Sequence, residues 1–220
     1  MGEQTTEPTV DAATALRGAQ RRDVYLTGFG KFGDILENPT TFLVQKLADD
    51  PNVTEAKVLE VSAEGSLEML APLRAKAEAS GRPCIFLHLG VNAGSAQFAL
   101  ERIGYNVADF RIPDERGWVA KQEVIAAGEA ESLSTQLPLD DMLATLKNHT
   151  ELVDISTDPG RYICNFVFFH SLKWAKDMMA AEGNSTQHHA LFVHVPQFSV
   201  IPLEDQVAFI RQVIATVSAL

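Results

Sequence analysis

Two short, almost entirely apolar segments constrain the fold of this chain more than any other feature of its sequence. The first extends from Pro83 to Gly90, and the second extends from Ala190 to Val195, where Pro196 follows. Segments of this length with apolar side chains on both faces are typical of strands in parallel sheets, which helices cover on both sides. The chain is therefore expected to form a sheet buried between two layers of helices.

Strand and helix signals alternate along the first half of the chain. Asp23–Thr27 and Val58–Val61 have the β-branched and apolar side chains of strands. Asn38–Pro39 is typical of a helix start, and a second helix is predicted over about Leu67–Ala79. This alternation indicates the α/β class. We predict a single domain over residues 22–220, with three α/β/α layers and a twisted, mostly parallel central sheet.

The net charge and the lengths of the apolar runs limit which kinds of binding partner are expected. The 220 residues carry a formal net charge of −11, which argues against nucleic acid or an anionic membrane as a partner. No apolar run approaches the roughly 20 residues of a membrane span, and no secretory signal is visible. Residues 1–21 lack a strand pattern, so we predict a loosely ordered leader. A homo-oligomer is left open.

Cysteine usage points to chemistry rather than to disulfides. Two cysteines do not make a disulfide framework, so a reducing, cytoplasmic setting is expected, and no metal or cofactor site is predicted. Cys164 lies in Gly160–Asn165, which is predicted to be a short apolar run that becomes a helix. A helix start offers unpaired N–H groups and a positive dipole end, which bias a thiol toward the reactive thiolate. Cys84 is instead expected to be a buried, inert side chain.

Two histidines and a glutamate are candidate partners for this cysteine. His194 and His88 lie near the C-terminal ends of predicted buried strands, the edge at which open α/β sheets bind ligands. Residue type alone leaves both a catalytic base and a hydrogen-bonded core imidazole as interpretations. Glu101 lies in the extended segment Phe98–Asp109, where the pattern favours an exposed position over a buried one that orients a histidine.

The loop Gly28–Gly33 supports an alternative function. Its three glycines match the G-x-G-x-x-G spacing of dinucleotide-binding loops, so a nucleotide- or phosphate-binding α/β module is an alternative. The predicted helix begins near Pro39, too late for its N-terminus to hold a phosphate beside the glycines. Phe29 and Phe32 suggest an apolar or flat ligand instead, and ordinary packing beneath the loop is the other interpretation.

Four separated groups of residues resemble the motifs of one family, the pyroglutamyl peptidase I cysteine peptidases. The groups are Leu26–Gly33 with Asn38–Pro39, Gly90–Gly94 with Leu100–Arg102 and Asn106, Arg111–Asp114 with Gly117, and Tyr162–Asn165 with Phe192–Pro196. Their order and spacing resemble the family over Val24–Pro202. Lys31 and Leu100 replace prolines of the family pattern, Ala93 replaces a glycine, and Val91 stands where many relatives have a polar residue.

The resemblance implies an activity and a set of catalytic residues. It implies a globular α/β fold with a twisted sheet between helices, and removal of an N-terminal pyroglutamate (5-oxoproline) from peptides. It implies a triad in which Cys164 is the nucleophile, His194 the base and Glu101 the residue that orients it. It also implies that the backbone N–H of Cys164 binds the oxyanion. Arg111 is expected near the site, either as a second oxyanion donor or as a structural clamp.

The same resemblance, taken together with the residue types, suggests a pocket for the substrate ring. Pyroglutamate is a small neutral lactam, so aromatic side chains can contact its ring while amides and backbone groups bind its N–H and C=O. The predicted pocket residues are Phe29, Phe32, Asn38, Asn92, Tyr162 and Ile163. Lys31 and Val91 leave the specificity of this pocket open. The predicted partners are peptides that begin with pyroglutamate.

Overall fold

The computed structural model describes residues 21–33, 35, 37–181 and 187–220, and in this part of the chain it has ten strands and five helices. The strands are β1 (Asp23–Phe29), β2 (Glu55–Leu59), β3 (Cys84–Val91), β4 (Phe98–Glu101), β5 (Ile103–Tyr105), β6 (Val107–Ala108), β7 (Glu123–Val124), β8 (Ser132–Ser134), β9 (Val153–Ser156) and β10 (His189–Val195). The helices are α1 (Pro39–Leu47), α2 (Ala63–Ser80), α3 (Leu139–Leu146), α4 (Ile163–Ala180) and α5 (Leu203–Ser218).

Six strands form the central sheet in the order β2-β1-β3-β10-β4-β9. The pairs from β2 to β10 are parallel, whereas β4 runs antiparallel to β10 and parallel to β9. The two apolar segments of the sequence are β3 and β10, which lie side by side in the middle of the sheet. β5 pairs with β8 and β6 pairs with β7 in two small antiparallel sheets. The predicted mostly parallel sheet is confirmed.

The central sheet is covered on both faces. Leu87 and Leu89 of β3 pack in a core with the apolar faces of α1, α3 and α5. Phe86 of the same strand packs in a second core with α2 and α4. Because successive side chains of a strand point to opposite faces, His88 and Gly90 share the α2 and α4 side with Phe86. The predicted α/β/α layering and single domain are therefore confirmed.

Three local features of the fold differ from the predictions. α4 does not continue from a strand, because β9 ends at Ser156 and a loop leads to the helix. β9 itself is a four-residue strand and was too short to be predicted. α2 begins before its predicted start, at Ala63, because the Ser62 Oγ accepts a hydrogen bond from the Gly65 N–H at 3.0 Å.

The predicted leader at residues 1–21 lies outside the described residues except for Arg21. Among the described helices, none combines the length and the apolar character that crossing a membrane requires.

Candidate active site

Cys164 lies in the first turn of α4 and is partly exposed. The preceding loop reverses at Gly160, whose φ of +76° favours glycine. The N-cap residue Tyr162 makes no side-chain cap hydrogen bond. The first N–H groups of an α-helix have no acceptor within the helix, so the backbone N–H of Cys164 is a donor beside its own sulfur. The predicted placement of the thiol at a helix start is correct, although a loop rather than a strand precedes it.

His194 and Glu101 come from neighbouring antiparallel strands. Glu101 ends β4 and lies opposite Phe192 of β10, so its side chain reaches His194 diagonally. The His194 Nδ1 and the Glu101 Oε1 are 2.7 Å apart. Both residues are buried, with 6% and 1% of their surface exposed. The exposed position that the sequence pattern favoured for Glu101 is therefore wrong, because its partner lies inside the fold.

The environment of His194 favours its protonated form. Burial by itself lowers the pKa of this imidazole, but side-chain hydrogen bonds with Cys164 and Glu101 and the charges of both groups raise the pKa to about 9. Because Nδ1 is engaged with Glu101, Nε2 is the nitrogen that faces the cysteine. Cys164, His194 and Glu101 thus form a row in which a protonated imidazole lies between a thiol and a carboxyl group.

Gly90 provides the space in which this row is assembled. A Cβ atom at this position would lie 2.6 Å from the Phe192 ring and 3.0 Å from the Cys164 Sγ. Any larger residue would therefore push the sulfur or the ring away. Gly90 belongs to one of the family motifs, but the motif by itself does not reveal this role. A glycine at the end of an apolar strand is the signal that could have revealed a close approach.

Two neighbouring cavities open beside the sulfur. The larger has a volume of about 610 Å³, and Cys164, His194 and Arg111 are among its lining residues. The smaller has a volume of about 20 Å³ and is lined by apolar and aromatic side chains together with Asn38 and Cys164. Phe32 and Tyr162 border both cavities. A thiol, an imidazole and an aromatic recess therefore meet at one point of the surface.

A family model described as pyroglutamyl peptidase matches residues 22–210, which is most of the chain. The chain belongs to the pyroglutamyl peptidase family. The resemblance seen in the sequence motifs is confirmed, and the chain is a hydrolase of the cysteine peptidase type.

Individual pyroglutamyl peptidase relatives agree with the family match. A pyrrolidone-carboxylate peptidase of Deinococcus radiodurans is 30% identical over 182 residues, which are 81% of this chain and 79% of that protein. The solved pyrrolidone carboxyl peptidase of Thermococcus litoralis has a TM-score of 0.77 at 26% identity, covering 90% of this chain and 93% of that one. The one from Fervidobacterium islandicum has a TM-score of 0.74 at 28% identity, covering 88% and 97%.

The aromatic residues predicted for the pocket of this pyroglutamyl peptidase separate into two groups. Phe29 is buried against Phe192, with ring centroids 6.3 Å apart, so it forms the floor of the small cavity. Phe32 is half-buried and lies 6.2 Å from the ring of Tyr162. The Tyr162 hydroxyl donates to the Pro113 carbonyl at 3.0 Å, which fixes that ring. Phe32 and Tyr162 thus form the entrance of the recess.

The other predicted pocket residues differ in burial and in the cavity that they line. Asn38 is buried and caps α1, because its Oδ1 accepts from the Thr40 N–H at 3.1 Å. Its amide group also donates to the Gly30 carbonyl at 3.0 Å, so its side chain is largely used within the loop. Ile163 is fully buried and lines the small cavity, whereas Asn92 is exposed and lines the large one.

The glycine loop of this family member does not have the geometry of a nucleotide site. Gly28 lies within β1, and a Cβ there would meet the Thr40 carbonyl oxygen at 2.7 Å. Its role is therefore to let α1 pack closely on the strand. α1 begins at Pro39, as predicted, rather than directly after the glycines in the sequence. The nucleotide- or phosphate-binding alternative is not supported.

Two structural clamps that the sequence pattern does not indicate hold the site. Asp114 is buried, and its carboxylate accepts from the Ala63 N–H at 3.0 Å and the Trp118 N–H at 2.9 Å, which anchors the loop that carries Arg111. Asn165, next to Cys164, accepts from the Tyr105 N–H at 2.7 Å and donates to the Tyr105 and Val107 carbonyls of the same segment. Both side chains are polar residues within family motifs, and only the three-dimensional contacts reveal their partners.

Proposed function

We propose that this enzyme hydrolyses the amide bond that follows an N-terminal pyroglutamate of peptides, through a triad of Cys164, His194 and Glu101. The observation that carries the proposal is the hydrogen-bonded pair of His194 and Glu101, whose imidazole shares a cavity with Cys164 at the mouth of an aromatic recess. Family membership supports the reaction class. Peptides are the proposed partners, and a reducing compartment suits a nucleophile that acts as a free thiol.

The first half-reaction begins with the thiolate of Cys164 and the imidazolium of His194. The sulfur attacks the carbonyl carbon of pyroglutamate, and the carbonyl oxygen becomes an oxyanion. The His194 Nε2–H gives its proton to the amide nitrogen, the C–N bond breaks, and the shortened peptide leaves with a new amino terminus. Pyroglutamate remains bound to the sulfur as a thioester. Glu101 accepts from the Nδ1–H and stabilises the cation throughout.

The second half-reaction returns the enzyme to its starting state. The neutral imidazole of His194 takes a proton from water, and the resulting hydroxide attacks the thioester carbonyl. The C–S bond breaks, pyroglutamic acid leaves, and the thiolate faces the imidazolium again. In both steps the oxyanion is bound by the backbone N–H of Cys164 at the start of α4. Arg111, which lines the same cavity, is the second proposed donor.

The recess suits a flat neutral ring. Pyroglutamate has no ammonium group, so its recognition needs apolar contact and hydrogen bonds rather than an acidic side chain. Phe29, Phe32 and Tyr162 supply the aromatic surface, and the backbone around Asn92 and the Asn38 amide supply polar groups.

Hydrolysis of a pyroglutamyl fluorogenic amide tests the proposed function. We expect the purified full chain to release the fluorophore from the pyroglutamyl amide and to be inactive on the matching prolyl and glutaminyl amides. The prolyl amide lacks the lactam carbonyl, and the glutaminyl amide carries an ammonium group that the recess does not neutralise. Absence of pyroglutamyl hydrolysis between about pH 6 and pH 9 would contradict the proposal.

The pH profile of Glu101→Gln tests the role of the glutamate. The wild-type kcat/KM should fall in alkaline solution as His194, whose pKa is raised to about 9, loses its proton. Glutamine removes the negative charge that helps to raise this pKa, so the alkaline limb should move to lower pH. The control is Glu204→Gln, which removes an exposed carboxylate paired with Lys46 and should leave the profile unchanged. An unmoved limb in Glu101→Gln would refute the assigned role.

A further inference from the structure

A buried row of polar side chains lies beneath the candidate active site, between the sheet and α4. The Thr27 Oγ1 is 2.6 Å from the His88 Nδ1, and the His88 Nε2 is 2.9 Å from the Ser171 Oγ. Arg74 of α2 donates from Nη2 to the same Ser171 Oγ at 3.2 Å. Thr27, His88 and Ser171 are all fully buried. The row therefore joins two central strands to α4 and α2.

The neutral imidazole of His88 needs a hydrogen-bond partner at each of its two nitrogens. Burial, with the nearby charge of Arg74, lowers the pKa of His88 to about 3, so the ring is neutral. A neutral imidazole has one N–H donor and one acceptor nitrogen, and the hydroxyls of Thr27 and Ser171 can complement either tautomer. A buried polar group that loses its partner is costly, so both bonds are retained only in one relative position of strand and helix.

The position of the row relates it to the nucleophile. His88 and Gly90 point to the same face of β3, and Gly90 is the register partner of His194 on β10. Ser171 follows Cys164 by seven residues, about two helical turns, so both side chains lie on the face of α4 that meets the sheet. Ser171 contacts His88 while the Cys164 Sγ approaches Gly90. One strand thus contacts the helix at the nucleophile and at the serine.

We propose that His88 and Ser171 are positioning residues, whose hydrogen bond fixes the location of α4 along the sheet and thereby holds the Cys164 Sγ against His194. Apolar packing is non-directional and tolerates small sliding movements of a helix. A hydrogen bond weakens steeply with distance and angle, so it defines the axial position of the helix more sharply. This inference deepens the proposed function and rests on it, because it explains how the nucleophile is aligned.

Ser171→Ala is the test, with Ser66→Ala as the matched control. Ser66 is also a fully buried helical serine, but its Oγ bonds, within the described part of the chain, only to the Ala63 carbonyl of α2 at 3.0 Å. We expect Ser171→Ala to lower kcat about tenfold and to slow alkylation of Cys164 by iodoacetamide by a similar factor, because a shift well below 1 Å misaligns the reacting atoms. KM should change less than about twofold, since the recess is not altered.

The control variant separates positioning from loss of stability. Ser66→Ala should retain the wild-type kcat and alkylation rate, even where its unfolding temperature falls as much as that of Ser171→Ala. Ser171→Thr, which restores the hydroxyl, should recover most of both rates. Equal rates in Ser171→Ala and Ser66→Ala, or the same loss in Ser171→Thr as in Ser171→Ala, would overturn the proposal. Should Ser171→Ala not fold, kcat and the alkylation rate are measured for Thr27→Val, which removes the hydroxyl that bonds His88 at the other end of the row. Unchanged rates in that variant would overturn the proposal.

Alkylation keeps this proposal distinguishable from the proposed function. The reaction of Cys164 with iodoacetamide needs no peptide substrate, so it reports the alignment of sulfur and imidazole directly. A wild-type enzyme without pyroglutamyl hydrolysis but with a slower alkylation in Ser171→Ala would contradict the proposed substrate and retain the positioning role. Wild-type hydrolysis, with alkylation and kcat both unchanged in Ser171→Ala, would support the proposed substrate and overturn the positioning role.

Discussion

Replacing Cys164 with serine should reduce kcat/KM for a pyroglutamyl amide by on the order of 10⁴-fold or more. The serine hydroxyl is a far weaker acid than a thiol, so His194 cannot hold it as an anion beside the imidazolium. The row of hydrogen-bonding groups remains, but the ionised nucleophile is lost. Release of the fluorophore under first-order conditions, with enzyme in excess where needed, measures the residual rate.

Cys84→Ser provides the control for the same chemistry. Cys84 is fully buried in β3, with its Sγ 3.1 Å from the His188 Nδ1, and burial raises the pKa of its thiol to about 12. We expect this variant to keep wild-type activity. In the wild type, iodoacetamide should label one cysteine rapidly near neutral pH and abolish activity, and mass spectrometry should locate the label on Cys164. Activity retained in Cys164→Ser would sink the nucleophile assignment.

The core of the fold was predictable because its two central strands fit few architectures. The apolar segments at β3 and β10 can be buried on both faces only in a covered sheet, and this fixes the layers before any contact is known. Short elements were less predictable. β9 has four residues, of which only Val153 is buried, so its sequence carries little signal until the neighbouring β4 is in place. The same applies to α2, whose early start depends on the Ser62 cap.

The candidate site was predictable in its residues but not in its geometry. A helix-start cysteine and a strand-end histidine are local features, so local patterns nominated Cys164 together with both His88 and His194, and the family motifs singled out His194. Glu101 was different, because the pattern around it favours exposure and only the antiparallel pairing of β4 with β10 buries it beside the imidazole. Gly90 and Ser171 matter because of side chains that other elements bring next to them, Cys164 and Phe192 at Gly90 and His88 at Ser171. The sequence around each residue does not reveal these neighbours.

The substrate recess was the least predictable part for a related reason. Phe29 and Phe32 are equivalent candidates as aromatic residues of one loop, yet Phe29 forms the floor of the recess and Phe32 its entrance. Asn38 has the residue type of a lactam partner, but the local helix cap already uses most of its hydrogen-bonding capacity. Whether a side chain such as Asn38 bonds its own backbone or a substrate depends on distances, and residue types alone do not give those distances.

Replacing His194 with alanine should be nearly as damaging as losing the nucleophile, with kcat/KM lower by on the order of 10⁴-fold. This variant removes both the cation that stabilises the thiolate and the acid that protonates the departing amine. Alkylation of Cys164 near neutral pH should slow in the same variant, because the thiolate loses its partner. His149→Ala, which changes an exposed histidine away from the site, is the matched control and should keep full activity.

The ranking of variants tests whether the three side chains act as one unit. Glu101→Gln should cost less than His194→Ala, by roughly one to two orders of magnitude, because the orienting residue of a triad contributes less than the base. Cys164→Ser combined with His194→Ala should cost about as much as either change alone, since removing one member already disables the row. Additive losses in that double variant would show two independent contributions. A larger loss in Glu101→Gln than in His194→Ala would mean that the carboxylate itself reacts, and the roles would have to be reassigned.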